Sequence, residues 1–256
     1  MSSPDPAGLL ASWDEQQAAY IADREGRFRV MLEVLELSCG EDPLIVDLAC
    51  GPGSLSARAL KALPQARVLA LDHDPLLLDI ADRALKPAHG DRLTVLDADL
   101  DDDNWPELVA EALGGQTPDA FVSTTALHWL MPDALVRVYA ATASLLGAGG
   151  VLLNGDHFRF DCRSPTLRRL AAAHDETTQR RAHASGAATW DNWWGTARAR
   201  PGAAPLAALR DQRFANRPSP PSTAVDFHLS ALTQAGFAEV DTVWQLLDDY
   251  VVLGVK

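Results

Sequence analysis

The sequence predicts an α/β fold built on a doubly wound, mostly parallel sheet, and three observations carry that expectation. Short apolar, β-branched runs alternate with helical stretches as far as residue 155; a pair of glycines follows the first run directly; and the chain ends in a helix and two further runs. Parallel strands need a crossover between them, so strand and helix taking turns implies a sheet covered on both faces.

Taken in order, "SWDEQQAAYIADREGRFRVMLEVLEL" reads as one or two amphipathic helices, with Tyr20, Phe28, Met31, Leu32 and Leu35 forming the apolar stripe. Strands are expected at Leu44 to Leu48, Arg67 to Leu71, Leu93 to Leu96, Ala120 to Ser123 and Val151 to Asn154, with helices starting near Ser54, Pro75, Trp105 and Pro132. The rhythm breaks after Asn154. Helices are expected around Pro165 to His183 and Pro205 to Phe214, while "HASGAATW" and "ANRPSPPST" read as breakers. Then "HLSALTQAGF" reads as a helix stopped by Gly236, and two strands follow around the polar Asp248-Asp249 turn. The expected division is an N-terminal and core region over 1–155, a mostly helical lid inserted over 156–222, and a segment over 223–256 that completes the core.

Composition narrows the function. A net charge of −13 repels polyphosphate, so nucleic acid is a poor substrate class. The charge is uneven, because residues 159–217 carry eleven arginines against five acids, which suits pairing of the lid with an acidic body. Cys39, Cys50 and Cys162 show no metal-ligand spacing and suit free thiols in a reducing compartment. The start "MSSPDPAGLLASWDEQQ" lacks the basic flank and apolar run of a secretory leader, and no stretch is long and apolar enough for a membrane helix. A cytoplasmic protein, monomeric or homodimeric, is expected.

The loop in "IVDLACGPGSLSARAL" is not a dinucleotide fingerprint. Ser56 stands where the third glycine of G-x-G-x-x-G belongs, and Pro52 removes a backbone donor from the phosphate cradle. What surrounds the loop is acidic. Asp47 precedes it at a strand tip, and a carboxylate beside a ligand favours positive ligand groups such as an ammonium or sulfonium. Asp72 ends the next strand, where it can accept both hydroxyls of a ribose. Asp97 and Asp99 follow the third strand, where an adenine amino group would need an acceptor; alternation along the strand favours Asp99.

"VDLACGPGSLS", "LALDHDP", "LDADL", "DAFVSTTALHWL" and "LLGAGGVLLNGDH" occur in that order, and together they resemble the class I S-adenosylmethionine-dependent methyltransferases, particularly the small-molecule branch. The resemblance covers roughly residues 12–157 and 224–256. It implies a Rossmann-like methyltransferase fold with a seven-stranded sheet whose last strand is antiparallel. It also implies S-adenosylmethionine as cofactor, S-adenosylhomocysteine as product, and no obligatory metal. By this resemblance Asp47, Ala49, Gly51 and Gly53 surround the methionine part, Asp72 the ribose, and Asp99 and Leu100 the adenine, with His73 also among the cofactor contacts, while Tyr20 and Arg24 cover the cofactor.

A sulfonium methyl is already activated, so the protein must chiefly hold a nucleophile near it, exclude water and, for a hydroxyl acceptor, remove a proton. His128, after the fourth strand, and His157, after the fifth, are the candidate bases. Trp129, Asp156, Trp193 and Trp194 are the candidate acceptor contacts. Arg163, Arg168 or Arg198 could instead grip a substrate carboxylate. "STTAL" after the fourth strand lacks the Asn/Asp-Pro-Pro-aromatic tetrad by which nucleobase amine methylating enzymes resemble one another. The expected activity is methyl transfer to an oxygen or nitrogen of a small molecule. A divergent protein that binds the cofactor without methylating, a carbon methyltransferase and a nicotinamide oxidoreductase are the rivals.

Overall fold

The structure, a computed structural model, describes residues 5–256; residues 1–4, where the first predicted region and the stretch read for a leader begin, lie outside them. Two helices lead, α1 (Pro6–Gln17) and α2 (Arg24–Ser38). The alternating core follows as β1 (Leu44–Leu48), α3 (Ser54–Ala62), β2 (Arg67–Asp72), α4 (Pro75–His89), β3 (Leu93–Asp97), α5 (Trp105–Ala112), β4 (Ala120–Thr124), α6 (Pro132–Leu145) and β5 (Val151–His157). Three helices, α7 (Pro165–Ala184), α8 (Trp190–Ala199) and α9 (Ala204–Phe214), lead to α10 (Val225–Ala235), β6 (Glu239–Leu246) and β7 (Asp249–Val255).

The seven strands lie in the order β3-β2-β1-β4-β5-β7-β6. Pairings among β1 to β5 are all parallel, and β7 runs antiparallel to both its neighbours. Period-two alternation feeds two apolar layers. Ile45, Val68, Ala70, Val122 and Leu153 face Leu55, Leu76, Ile80, Phe28 and Met31, while Val46, Leu69, Phe121 and Leu152 face Leu135, Val138, Tyr139 and Leu232. Strand order reverses between β1 and β4, and the crevice outside the carboxyl ends at such a switch point is where open α/β sheets bind ligands.

Local chemistry sets the boundaries. Asp74 caps α4 by accepting from the Leu76 and Leu77 amides, with Pro75 in the first turn. Gly236, at φ 96°, ends α10 in the left-handed region. Two expectations need correction. Strand β5 runs on to His157 because Asp156 and His157 pair with Tyr250 and Asp249 of β7, so these residues belong to the strand and do not follow it. Helix α8 occupies a stretch that carried no element in the sequence reading; Thr189 caps it by accepting from the Asn192 amide. Among the described residues no helix is long and apolar enough to cross a membrane.

Candidate active site

The turn after β1 is a run of left-handed backbone at Ala49 (φ 52°), Gly51 (φ 58°) and Gly53 (φ 90°). A Cβ on Gly51 would meet nothing within 4 Å, whereas one on Gly53 would lie 2.7 Å from Leu85 Cδ1. Gly51 therefore keeps the loop open toward the crevice, and Gly53 lets α3 approach α4. Asp47 sits behind the loop, fully buried, and accepts from the Ser56 amide (3.2 Å) and hydroxyl (2.6 Å). The serine that replaces the third glycine is thus tied to the strand carboxylate. Burial outweighs those bonds and pushes Asp47 up to about 7.

A cleft of about 680 Å³ opens beyond the loop, within the usual range of roughly 300–1,000 Å³ for small-molecule sites. Ala49, Gly51, Asp72, His73, Asp99 and Leu100 lie on one part of its wall. Asp72 accepts from the Gly51 amide (2.8 Å) and the Asp74 amide (2.7 Å), so it shapes the loop as well as facing the cleft, and burial pushes it up to about 6. Asp99 faces the cleft and is paired with Arg217, with His73 Nε2 at 3.3 Å. Asp97 lies outside it, held bidentately by Arg213 at 2.8 and 2.9 Å.

The far wall comes from the turn after β4 and the tip of β5. Thr124, Thr125, His128, Trp129 and His157 line it, with Tyr20 and Arg24 from the leading segment. His128 Nδ1 lies 2.7 Å from Asp156 Oδ1, and Asp156 also accepts from the amides of His128 (3.1 Å) and His157 (2.8 Å). Burial opposes charge on both partners, yet their attraction wins: Asp156 is held well below the usual carboxylate range and His128 above its ordinary value. Nδ1 of His157 meets Asp249, its partner across the β5–β7 ladder. Neither histidine Nε2 has a protein partner among the described residues.

Four predicted site residues stand off the cleft wall. Asp47 and Gly53 brace the loop from behind. Asp156 is fully buried and serves His128, not an acceptor. Trp193 is 2% exposed, donates from Nε1 to the Leu9 carbonyl (3.2 Å) and Ser12 hydroxyl (3.1 Å), and so pins α8 to α1. Trp194 and Trp129 do line the cleft, as does Trp190 from the same tryptophan run, together with Trp13, which the sequence reading passed over. Arg163 and Arg198 pair with Asp161, Asp226 and Asp211 away from the cleft, and Arg168 does not line it either.

Sequence reasoning also missed Arg27. It is fully buried beneath the β4 turn and donates from Nη2 to the Thr124 hydroxyl (3.0 Å) and to that of Thr125. Burial lowers it to about 10, against the pull of Asp249 and Asp156. A Cβ on Gly155 would come within 3.2 Å of Arg27 Cδ, so the glycine in "LLNGDH" makes room for this side chain. That glycine beside an acid and a histidine was the one available signal.

Comparison with known proteins agrees with this geometry. Residues 45–150 match the model of a methyltransferase domain. The chain is 32% identical over 110 residues to a 3-amino-4-hydroxybenzoate 4-O-methyltransferase of Streptomyces cremeus, covering 43% of this chain and 27% of that protein. It is 34% identical over 147 residues to a trans-aconitate 2-methyltransferase of Methylobacterium radiotolerans, covering 56% and 48%. The matches therefore span about a quarter to a half of those relatives' length. Human N-acetylserotonin methyltransferase, solved with its methyl donor, superposes with a TM-score of 0.58 at 15% identity, over 98% of this chain and 56% of that one, a likeness of fold. The five ordered motifs, the sheet order and the domain match over residues 45–150 agree: the chain carries a match to a methyltransferase domain and is similar to the class I S-adenosylmethionine-dependent methyltransferases.

Proposed function

We propose that this protein transfers a methyl group from S-adenosylmethionine to a hydroxyl oxygen of a small molecule and releases S-adenosylhomocysteine. The observation that carries the reading is the His128–Asp156 pair, whose histidine lines the cleft while its carboxylate is fully buried. The Streptomyces cremeus relative, named a 4-O-methyltransferase, supports the same reading.

The residues present suit the cofactor. Gly51 presents an open backbone, Asp72 offers a carboxylate at the ribose position, and Asp99 with Leu100 offers an acceptor and an apolar contact for adenine. Each arginine on the wall is already paired, Arg24 with Asp14, Arg210 with Asp74 and Arg217 with Asp99, so among the described residues no free arginine on this wall awaits a diphosphate. When bound, S-adenosylmethionine supplies an electrophilic methyl on a sulfonium centre.

The protein's own residues do the rest. Asp156 fixes His128 with Nδ1 inward, which leaves Nε2 to accept the proton of an acceptor hydroxyl. The raised basicity of His128 makes it the stronger acceptor. Tryptophans 13, 129, 190 and 194 supply apolar wall and exclude water. The free thiols Cys39, Cys50 and Cys162 fit a cytoplasmic setting. Calorimetry with S-adenosylhomocysteine, followed by a screen for labelled methyl in phenolic and alcoholic acceptors, tests the proposal; failure of the product to bind would overturn it.

A further inference from the structure

We infer that α9 is an ion-paired strap over the nucleoside end of the cleft, held shut by Arg213 on Asp97, and that it swings clear for S-adenosylmethionine to enter and for S-adenosylhomocysteine to leave. This rests on the reading that places the nucleoside at the tips of β2 and β3. The segment that carries α9 leaves the sheet from β5, on the other side of the switch point from β2 and β3. An insertion serving the acceptor alone would find its nearest cover over β4 and β5. Instead α9 packs on α4, and its arginines reach acids at the ends of β2 and β3.

Charge is what holds it there. Arg210, Arg213 and Phe214 stand at i, i+3 and i+4 and so share one face, and Arg217 follows just past the helix end. Arg210 pairs with Asp74 at 2.5 Å and lies 4.0 Å over the Trp194 ring. Arg213 holds Asp97 bidentately at 2.8 and 2.9 Å and donates to the His73 carbonyl at 2.8 Å. Arg217 pairs with Asp99. Apolar burial contributes little, because Ala207 alone among the described residues of α9 is buried. Partly exposed ion pairs exchange readily with water and are screened by salt, so a helix held in this way opens far more easily than one seated in a core.

The flanks of α9 permit the movement. Gly202 lies in left-handed backbone (φ 80°) just before it, and residues 217–224, with three prolines, form neither helix nor strand after it. The strap also lies on the route of a ligand: Phe214, Arg217 and Pro218 line the cleft together with His73 and Asp99. Arg217 thereby holds the carboxylate that is offered to adenine. Arg213 and Asp97 stand outside the cleft wall, so their pair acts on a bound ligand only by keeping α9 closed.

The test is stopped-flow measurement of S-adenosylhomocysteine association and dissociation, followed by tryptophan fluorescence, since Trp194 lines the cleft beneath Arg210. Asp97→Asn and Arg213→Gln should each raise both rates about threefold to fivefold, the scale of one partly exposed ion pair, while the equilibrium affinity changes by less than either rate. Each should also weaken the dependence of the two rates on salt. Arg213→Lys keeps the charge without the bidentate grip and should fall between Arg213→Gln and the unaltered protein. Unchanged rates in both Asp97→Asn and Arg213→Gln, a rise in dissociation alone, or Arg213→Lys as fast as Arg213→Gln overturns the strap and leaves the cofactor reading standing. No binding of S-adenosylhomocysteine by the unaltered protein overturns both.

Discussion

The imidazole of His128 and the carboxylate of Asp156 form a buried-to-open pair: Nδ1 and Oδ1 are 2.7 Å apart, the acid has no exposure, and the ring is 30% exposed into the cleft. Such a pair does two things at once. It fixes the ring's orientation, and it makes the outward nitrogen more basic. Because the base acts in its neutral form, the rate should rise with pH through a midpoint above the ordinary histidine value of about 6.5. Asp156→Asn removes the stabilising charge and should move that midpoint down while lowering kcat about 100-fold or more, within the range of roughly 10²–10⁴ for general acid–base groups. Affinity for S-adenosylhomocysteine should not change. A pH profile of kcat with any accepted substrate checks both parts.

Arg27 works on the same pair from behind. Its guanidinium is one of the charges that lower the basicity of His128, so Arg27→Met should shift the activity midpoint upward, opposite to Asp156→Asn. It also faces Asp156 and Asp249, and its loss leaves two buried carboxylates short of a cation. A cost of about 3–5 kcal/mol in unfolding free energy is expected from breaking a buried charge arrangement. Urea denaturation measures the second effect, and NMR titration of the His128 ring the first without needing a substrate.

How far these features could be read in advance depends on where their energy comes from. Strands such as Leu44–Leu48 declare themselves because they are buried on both faces, and the acids at Asp72 and Asp99 stand at strand tips that spacing alone locates. The surplus arginines of residues 159–217 do pair with the acidic body, Arg210 with Asp74, Arg213 with Asp97 and Arg217 with Asp99. Helix α8 was illegible because "TWDNWWG" has weak local helix preference; Trp193 packing edge-on against Trp13 at 4.6 Å is a tertiary contact. Arg27 was illegible for a related reason: an arginine in an amphipathic helix reads as solvent-facing until the acids of β5 and β7 are seen beneath it.

Asp72 and Asp99 give separable predictions at the cofactor. Asp72→Ala should weaken S-adenosylhomocysteine at least about tenfold, since a hydrogen bond to a charged group contributes roughly 1.5–3 kcal/mol. It also frees the Gly51 amide, so the loop itself loosens. Asp99→Ala removes an acceptor that Arg217 and His73 share. Its effect should fall on adenine-bearing ligands and spare methionine. Calorimetry with the whole ligand and its fragments distinguishes the two, and unchanged affinity in Asp72→Ala would refute the ribose assignment.

Asp47 predicts a pH dependence of stability with a sign opposite to the usual carboxylate. Burial raises it from an ordinary 3.8 to about 7 even though Ser56 donates to it twice. Between those values the folded chain binds more protons than the unfolded one, so this group makes unfolding easier as pH rises, and its full penalty, a few kcal/mol at most, applies above about 7. Asp47→Asn keeps an oxygen to accept from Ser56 and carries no charge to bury. Its unfolding free energy should therefore fall less steeply from pH 5 to pH 8 than that of the unaltered protein, and the variant should be the more stable of the two at pH 8. Urea titrations across that range decide the matter: parallel curves would mean that Asp47 is not the buried charge that strains the loop.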